Sequence, residues 1–218
     1  MAIVKTVFTA TTLAANEPEV LAFLQANATG YFDSIADADG VISCMVGSVT
    51  ALALSFSSGS AKTTLSLANG AAVTTYTAAN NERFVAGYKT DYGLVLEGST
   101  GQTYIITKTN TNSTAIVAGL HITSGNYAVY SGCIVSSSAW FSPTGSSATS
   151  AVSARQGYII NPAAALTTLT PLPFGNSGTY APNLFVTCFT ENGGLTSVRR
   201  LVVNDVEYVY DGTFALRA

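Results

Sequence analysis

Short apolar segments separated by turn signals constrain the fold of this chain more than any other feature of its sequence. The strongest signal is Asn69-Gly70 between KTTLSLA and AVTTYTA, because Asn-Gly suits the tight turn of a two-residue hairpin. The polar tip from Asn110 to Ser113 separates TYIITKT from TAIVAGL in the same manner. Hairpins in series from Val41 onward predict a mainly β chain, folded as an antiparallel β-sandwich or a barrel-like domain.

The C-terminal segment favours three consecutive strands. VRRLVV, VEYVY and TFAL are separated by Asn204-Asp205 and by Asp211-Gly212, and both dipeptides favour tight turns. A chain end that stays apolar as far as Ala218 is expected to be tied into a sheet. The last strand is therefore predicted to pair on at least one side, and a bare second edge would need a neighbouring subunit to cover it.

One helix is predicted, in NEPEVLAFLQAN. Asn16 has a side chain suited to an N-cap, and Glu19 follows it at the capping-box position. Gly30 marks the end of the helix, and IVKTVFT gives a strand signal before it. We expect residues 1–40 to form an N-terminal arm that contains this short helix, and residues 41–218 to form the antiparallel β domain.

Loop-borne aromatic residues are the candidate contacts with a partner. The Ser-, Ala- and Gly-rich stretch near residues 136–157 predicts a long loop, and such loops are usually functional or ordered by a partner. Aromatic side chains anchor interfaces, although they serve equally well in a core. The candidate contact residues are the aromatic side chains of this loop, of a proline-rich connector and of the last strand: Trp140, Phe141, Phe174, Tyr180 and Phe214.

The distribution of charge is unusual. Asp, Glu, Lys and Arg make up 10% of the chain, against about 25% in an ordinary soluble domain. Between Thr109 and Thr190 the only formally charged side chain is Arg155. Because charged residues are depleted in interface cores, we expect much of this uncharged segment to face other protein, either copies of the chain or neighbours. A neutral surface coated with Ser and Thr is the alternative.

The overall charge argues against a nucleic-acid partner. The chain has a net charge of −3, whereas binding to phosphates needs clustered Lys and Arg. The adjacent pair Arg199-Arg200 is interpreted as a solvated strand start. Thr interrupts every apolar stretch of MAIVKTVFTATTLAA, so no signal peptide is expected. No window is apolar enough for a membrane-spanning helix, so no membrane insertion is expected.

The sequence predicts no catalytic, cofactor-binding or metal-binding residues. His121 is the single histidine, and neither a GxSxG elbow nor an HExxH motif accompanies it. The cysteines Cys44, Cys133 and Cys188 lie in apolar runs without a CxxC spacing, which is typical of buried thiols rather than of zinc ligands. The chain is therefore predicted not to be an enzyme.

Carboxylates leave one enzymatic alternative open. DADG, with Asp37 and Asp39, matches half of a calcium loop, but the remaining ligands are missing and a turn is favoured. Glycosidases need only two carboxylates. The acidic residues available singly for such a pair are Glu82, Asp91, Glu97 and Glu191.

The chain resembles a structural protein of a tailed-bacteriophage particle. The resemblance rests on the Thr-rich opening MAIVKTVFTATTLAANEPEVLAFLQ, on the charge-poor body of strands and turns, and on the closing VNDVEYVYDGTFALRA. It implies a homo-oligomer built into a head or tail together with other virion proteins, and it carries over no catalytic residues.

The leading hypothesis is a non-enzymatic structural component of a phage particle, in the tail or its fibres or on the capsid surface. Such a protein would be made in the host bacterial cytoplasm and located in the virion. One alternative is a receptor- or carbohydrate-binding module that uses loop aromatics, with a host-surface glycan as a further partner. The other is a particle-associated glycan hydrolase.

Overall fold

The computed structural model describes residues 3–56, 62–66, 72–77, 83–99, 101–122, 127–135, 140–141, 169–174, 178–187, 198–212 and 214–218. Helix α1 spans Leu13–Asn27. The strands in chain order are β1 Val4–Val7, β2 Ser34–Ala38, β3 Val41–Val46, β4 Val49–Ser55, β5 Lys62–Ser66, β6 Ala72–Thr77, β7 Phe84–Lys89, β8 Gly93–Gly98, β9 Gln102–Lys108, β10 Thr114–Ile122, β11 Tyr127–Ile134, β12 Trp140–Phe141, β13 Leu169–Phe174, β14 Thr179–Thr187, β15 Arg199–Val203, β16 Val206–Tyr210 and β17 Phe214–Arg217.

These strands form three antiparallel sheets. The N-terminal sheet has the order β2-β3-β4-β5-β6, the middle sheet β1-β7-β8-β9-β10-β11-β12, and the C-terminal sheet β13-β14-β17-β16-β15. Most neighbours in a sheet are also neighbours in sequence, as serial hairpins require. The predicted mainly β, antiparallel sandwich class is confirmed.

The middle sheet is covered on both faces. Successive residues of its strands alternate between two core clusters, as the period of a strand dictates. Leu94, Leu96 and Ile106 pack with side chains of the N-terminal sheet and of α1. Val95 and Ile105 point the other way and pack with side chains of the C-terminal sheet. The three sheets are therefore stacked as layers, with the middle sheet inside.

This stacking gives an unexpected reason for the lack of charge in the segment from Thr109 to Thr190. In β10, Ile116 and Ala118 lie in one core cluster, while Ala115 and Val117 lie in the other. All four side chains are at most 3% exposed. For this described part of the segment the charges are absent because the strand is buried within its own chain, so a partner is not needed to explain them.

The helix begins earlier than the sequence suggests. Thr12 is the N-cap, and its side chain accepts a hydrogen bond from the Ala15 amide. The predicted N-cap Asn16 is instead fully buried inside the helix. Its amide group donates to the Phe84 carbonyl (2.9 Å) and accepts from the Phe84 N–H (2.8 Å), so that it ties α1 to the start of β7. The polar side chain of Asn16 therefore makes a tertiary contact and does not cap the helix.

Two further contacts fix the helix on the middle sheet. The Glu19 carboxylate accepts hydrogen bonds from the backbone N–H groups of Thr9 and Ala10, just after β1. The Phe23 ring lies directly over Gly87 of β7, where an added Cβ would be 2.6 Å from the ring. Only a residue without a side chain permits this approach.

The N-terminal residues are part of the layered structure. β1 pairs with β7 at an edge of the middle sheet. β2 pairs with β3, and the predicted arm boundary at residue 40 falls inside this hairpin. Its turn is Asp39-Gly40, both with positive φ (54° and 75°), as a type I′ turn requires. DADG is thus a turn, as expected.

The C-terminal strand lies inside its sheet. β17 pairs with β14 on one side and with β16 on the other, and the Ala218 N–H donates to the Glu207 carbonyl. Pairing on at least one side is confirmed, and neither side is a bare edge. The Asn204-Asp205 turn has φ values of 50° and 63°, which match the predicted tight hairpin. The long loop predicted near 136–157 lies, apart from β12, outside the described residues.

Gly93, at the start of β8, tests the close packing of β8 against β9 and against the C-terminal sheet. An added Cβ there would lie 2.4 Å from the Ile106 carbonyl oxygen and 3.1 Å from Leu216. Because the first of these atoms is backbone, we expect Gly93→Ala to lower the free energy of unfolding by about 1–3 kcal/mol. The measurement is urea denaturation.

Gly30→Ala is the matched control, because nothing lies within 4 Å of its added Cβ. A surface change of this kind is expected to alter stability by no more than about 0.5 kcal/mol. A Gly93→Ala variant as stable as the wild type would contradict the packing described.

Candidate functional site

A cleft of about 640 Å³ lies between an edge of the middle sheet and an edge of the C-terminal sheet. β1 and β7 form one side, and β15 and β16 form the other. Two residues that lie directly opposite each other on neighbouring strands have side chains on the same face of the sheet. Such pairs therefore line the cleft together. Lys5 lies opposite Tyr88, and Arg200 lies opposite Val209. The cleft thus follows from two sheet edges that stack without fully covering each other.

Cations are concentrated in this cleft. The chain has nine Lys and Arg residues, and three of them, Lys5, Arg199 and Arg200, line it. Glu207 is the one acidic residue of the lining. It forms an ion pair with Arg200, and the Lys5 ammonium lies 5.1 Å from the centre of the Tyr88 ring. Arg199 lies opposite Tyr210 and Arg200 lies opposite Val209, so the two arginine side chains leave β15 on opposite faces.

The walls of the cleft are apolar. Ile3, Val198, Val209 and the Tyr88 ring lie between the charged groups. Val209 and Tyr88 belong to the core cluster that joins the middle and C-terminal sheets, and Ile3 packs against that cluster. The cleft is therefore an opening at the edge of the hydrophobic core, with charges at its entrance.

A buried carboxylate fixes the floor of the cleft. Glu97 of β8 is 4% exposed. One of its oxygens accepts a hydrogen bond from the Tyr88 hydroxyl (2.7 Å) and the other from the Val198 N–H (2.8 Å). A buried carboxylate needs such donors to offset its desolvation. Because Tyr88 lies on β7 of the middle sheet and Val198 directly precedes β15 of the C-terminal sheet, Glu97 links the two layers.

The Tyr88 hydroxyl remains protonated in this setting. Burial, followed by the hydrogen bond and charge of Glu97, raises its pKa well above the ordinary value of a tyrosine. The neutral hydroxyl is the form that donates to the carboxylate. Proton transfer from Tyr88 near neutral pH is therefore disfavoured, and the pair has a structural role.

Two of the predicted contact residues are core residues. Phe174 is fully buried and Phe214 is 1% exposed. Both belong to the cluster between the middle and C-terminal sheets. Their aromatic surface packs within the chain, so neither side chain is presented to a partner. The proline-rich connector that carries Phe174 is strand β13 at this point, which its sequence did not indicate.

The other three predicted contacts are distributed over different elements. Tyr180 lies on β14, and its side chain is 40% exposed; its backbone N–H donates to the Asn110 side chain. Trp140 and Phe141 form β12, which lies at the opposite edge of the middle sheet from β1. Phe174, Tyr180 and Phe214 do not line the cleft.

Within the described residues, the histidine, cysteine and acidic residues singled out in the sequence do not form a metal-binding cluster. His121 lies on β10, opposite Ala128. Cys44 is fully buried, and burial raises the pKa of its thiol to about 12, as expected of an unreactive buried thiol. Among the described residues, no group of three or more His, Cys, Asp or Glu side chains is placed to hold a metal ion. Glu82, Glu191 and Cys188 lie outside the described residues.

One carboxyl pair does form, although not from the predicted residues alone. Glu17 of α1 is hydrogen-bonded to Asp37 of β2, and this bond, with burial and the charge of Asp37, raises the pKa of Glu17. Glycosidase carboxylates stand about 5 Å or more apart, with the sugar between them. Two carboxyl groups in direct hydrogen-bond contact do not have this arrangement.

The cleft was missed at the sequence level because its cations are remote from one another. Lys5 lies near the start of the chain, and Arg199-Arg200 begins β15, as predicted for a strand start. The available signal was the small number of Lys and Arg residues in the sequence. No local pattern, however, predicts which two sheet edges meet.

Comparison with known proteins adds no identification, since no protein family, curated protein or solved structure matches this chain. Within the described part of the chain, α1 is too short and too polar to cross a membrane, and no other helix is present there.

Tyr88→Phe tests the link between the two sheets. At about pH 8 we expect the variant to be less stable by about 1–3 kcal/mol, because the buried Glu97 loses a donor. Above about pH 10 we expect the difference in stability between the wild type and Tyr88→Phe to narrow. At such a pH the unfolded chain releases the Tyr88 proton. The folded chain retains it, because its Tyr88 pKa is raised. The wild type therefore loses stability as the pH rises.

The measurement is urea denaturation of the wild type, Tyr88→Phe and Tyr180→Phe across this pH range. Tyr180 is 40% exposed and serves as the control. The Tyr88→Phe variant should lose less stability at alkaline pH than the other two proteins. Equal alkaline losses in all three would contradict the buried Tyr88–Glu97 bond.

Proposed function

We propose that this chain is a non-enzymatic structural component of a bacteriophage particle that assembles with copies of itself through an open sheet edge. The observation that carries the proposal is the outer edge of β1. Both faces of the central strands β8, β9 and β10 are covered by the chain's own layers, whereas all four residues of β1 are exposed. Edge strands are templates for pairing with another chain.

The backbone of β1 is oriented for such pairing. The Phe8 N–H donates to the Val85 carbonyl of β7 (3.0 Å). Because N–H groups alternate in direction along a strand, those of Val7 and Lys5 point away from β7, towards the open edge. β1 has a strand neighbour on one side only in the described sheet. These outward donors favour the addition of a strand from a second copy.

β1 is also less protected than three of the other edges, β2, β13 and β15. β2 carries Asp37, β13 carries Pro171 and Pro173, and β15 carries Arg199 and Arg200, which are devices that discourage edge-to-edge pairing. β1 carries Lys5 but exposes two valines, Val4 by 56% and Val7 by 63%. Burial of these valines in an oligomer is favourable.

The placement in a phage particle rests on the sequence. The closing VNDVEYVYDGTFALRA resembles the ends of phage virion proteins, and the Thr-rich opening, which contains β1, adds to the overall resemblance. Repetition of one weak edge contact through many copies makes the assembly strong as a whole.

Val7→Pro tests the open edge. Proline removes the outward N–H of Val7 but leaves the hydrogen bonds between β1 and β7 in place. We expect the wild type to form an oligomer at micromolar concentration and Val7→Pro to be monomeric, as measured by light scattering. Val7→Thr keeps the N–H and a β-branched side chain, and it should retain the mass of the wild type.

A monomeric wild type would contradict self-assembly, and an oligomeric Val7→Pro variant would contradict β1 as its route. The particle itself is tested by gold-labelled antibodies against the chain, applied to particles purified from the strain that produces it. Labelling of the particles is expected. Restriction of the chain to the soluble fraction would contradict a virion component.

A further inference from the structure

The open edge of β1 presents a short and well-defined set of backbone groups. The N–H groups and carbonyls of Lys5 and Val7 point away from β7, because those of Phe8 face it. The next outward N–H along the chain, that of Thr9, donates instead to the Glu19 carboxylate of α1 (3.1 Å). Within its four residues, β1 therefore offers two outward positions to a partner strand.

The charged side chain of β1 does not protect this edge. A lysine on an edge strand ordinarily discourages pairing with another chain. The Lys5 ammonium, however, lies 5.1 Å from the centre of the Tyr88 ring on β7, on the side of β1 away from the open edge. All four residues of β1 are exposed, and Val4 and Val7 are exposed by 56% and 63%. A second chain therefore has access to the edge, and covering it buries apolar surface.

The outward groups of β1 match those of a second copy of the same strand. In an antiparallel pair, outward residues of one strand lie opposite outward residues of the other and exchange two hydrogen bonds. If Lys5 lies opposite Val7 of the copy, then Val7 lies opposite Lys5 of the copy, and about four hydrogen bonds satisfy the outward groups of both strands. Such a contact is related by a two-fold axis that passes between the two Thr6 residues.

The other two antiparallel pairings of β1 with itself are less favourable. An axis at Lys5 places two lysines directly opposite each other, and like charges in this position destabilise a sheet. An axis at Val7 places Lys5 opposite Thr9 of the copy. The Thr9 N–H is already bonded to Glu19, so it is not free to bond to the copy. An axis at Thr6 avoids both conflicts, and it pairs two threonines, which is a favourable cross-strand pair.

We propose that β1 pairs antiparallel with β1 of a second copy about a two-fold axis at Thr6, so that the middle sheets of the two copies join into one. This inference rests on the self-assembly proposed above, and it names the partner strand and its register. A two-fold contact closes on itself, because each copy uses its β1 edge once. The product of this edge is therefore a dimer, and a larger particle contains many such dimers.

Charges introduced at Thr6 test the position of the axis. Thr6→Lys and Thr6→Glu each place two like charges directly opposite each other in the dimer, so each variant alone should dimerise about fivefold more weakly than the wild type. An equimolar mixture of the two variants forms Lys–Glu pairs instead, and its dimerisation constant should return to within about twofold of the wild-type value. The measurement is sedimentation equilibrium of the full chain at micromolar concentration.

Val4→Lys and Val4→Glu are the matched control. Val4 is exposed, and it lies on the same strand and the same face as Thr6. In the proposed register Val4 lies opposite Phe8 of the copy, so the two Val4 residues are about 13 Å apart along the strands. This separation exceeds the screening length of about 8 Å in physiological salt. Mixing the two Val4 variants should therefore strengthen their dimerisation by no more than about twofold.

A disulfide reports the register directly. In the proposed dimer the two Thr6 Cα atoms are about 4.5 Å apart, which lies within the range of about 4.4–6.8 Å that a disulfide spans. We expect oxidised Thr6→Cys to run as a covalent dimer on non-reducing electrophoresis, with the disulfide at position 6 in mass spectrometry. Val4→Cys, and the wild type with its own Cys44, Cys133 and Cys188, should give no such dimer under the same oxidation.

The outcomes separate this inference from the proposed function. A wild type that self-associates, while Thr6→Cys forms no disulfide or the Thr6 mixture dimerises no better than its components, would overturn the β1 register and leave self-assembly standing. A monomeric wild type would overturn both proposals. Thermal unfolding of each variant verifies that it is folded, and replacement of Thr6 should cost little stability because its side chain is exposed.

Discussion

Burial of both faces of the middle sheet is the constraint on which the rest of the structure depends. A strand covered on both sides has no position for a charge, so β8, β9 and β10 are almost wholly uncharged. The helix and the N-terminal sheet cover one face, and the C-terminal sheet covers the other. Growth of the sheet is then restricted to its edges, and three of the chain's nine Lys and Arg residues line the cleft where an edge of the middle sheet meets an edge of the C-terminal sheet.

Turns were predictable from the sequence, whereas the stacking of sheets was not. Asn204-Asp205 specifies its turn locally, because few residues other than Asn, Asp and Gly accept positive φ at both positions. In TAIVAGL, apolar residues follow one another without alternating polar residues. This pattern is typical of a strand buried on both faces. Composition alone does not reveal whether the covering layers belong to the same chain or to another. Asn16 is a second example. An asparagine suits both a helix N-cap and a buried tertiary hydrogen bond, so the sequence does not distinguish the two roles.

The candidate site could be predicted even less from the sequence. Aromatic residues mark a core and an interface equally, and the structure places Phe174 and Phe214 in the core. The cleft depends on Lys5 meeting Arg199 and Arg200 across two sheets, and no spacing in the sequence encodes that meeting. Glu97 looked like a single carboxylate available for catalysis. Its neighbours Tyr88 and Val198 instead make it a link between layers.

Hydrogen–deuterium exchange of the folded chain measures the layered burial most directly. Amides of strands buried on both faces exchange only when the whole domain opens, whereas edge strands open locally. The account predicts that β8, β9 and β10 are the slowest regions to exchange, and that the outward amides of Lys5 and Val7 on β1 are much faster at a concentration too low for assembly. Exchange of β8, β9 and β10 as fast as that of the exposed edge strand β2 would contradict a middle sheet enclosed by the chain's own layers.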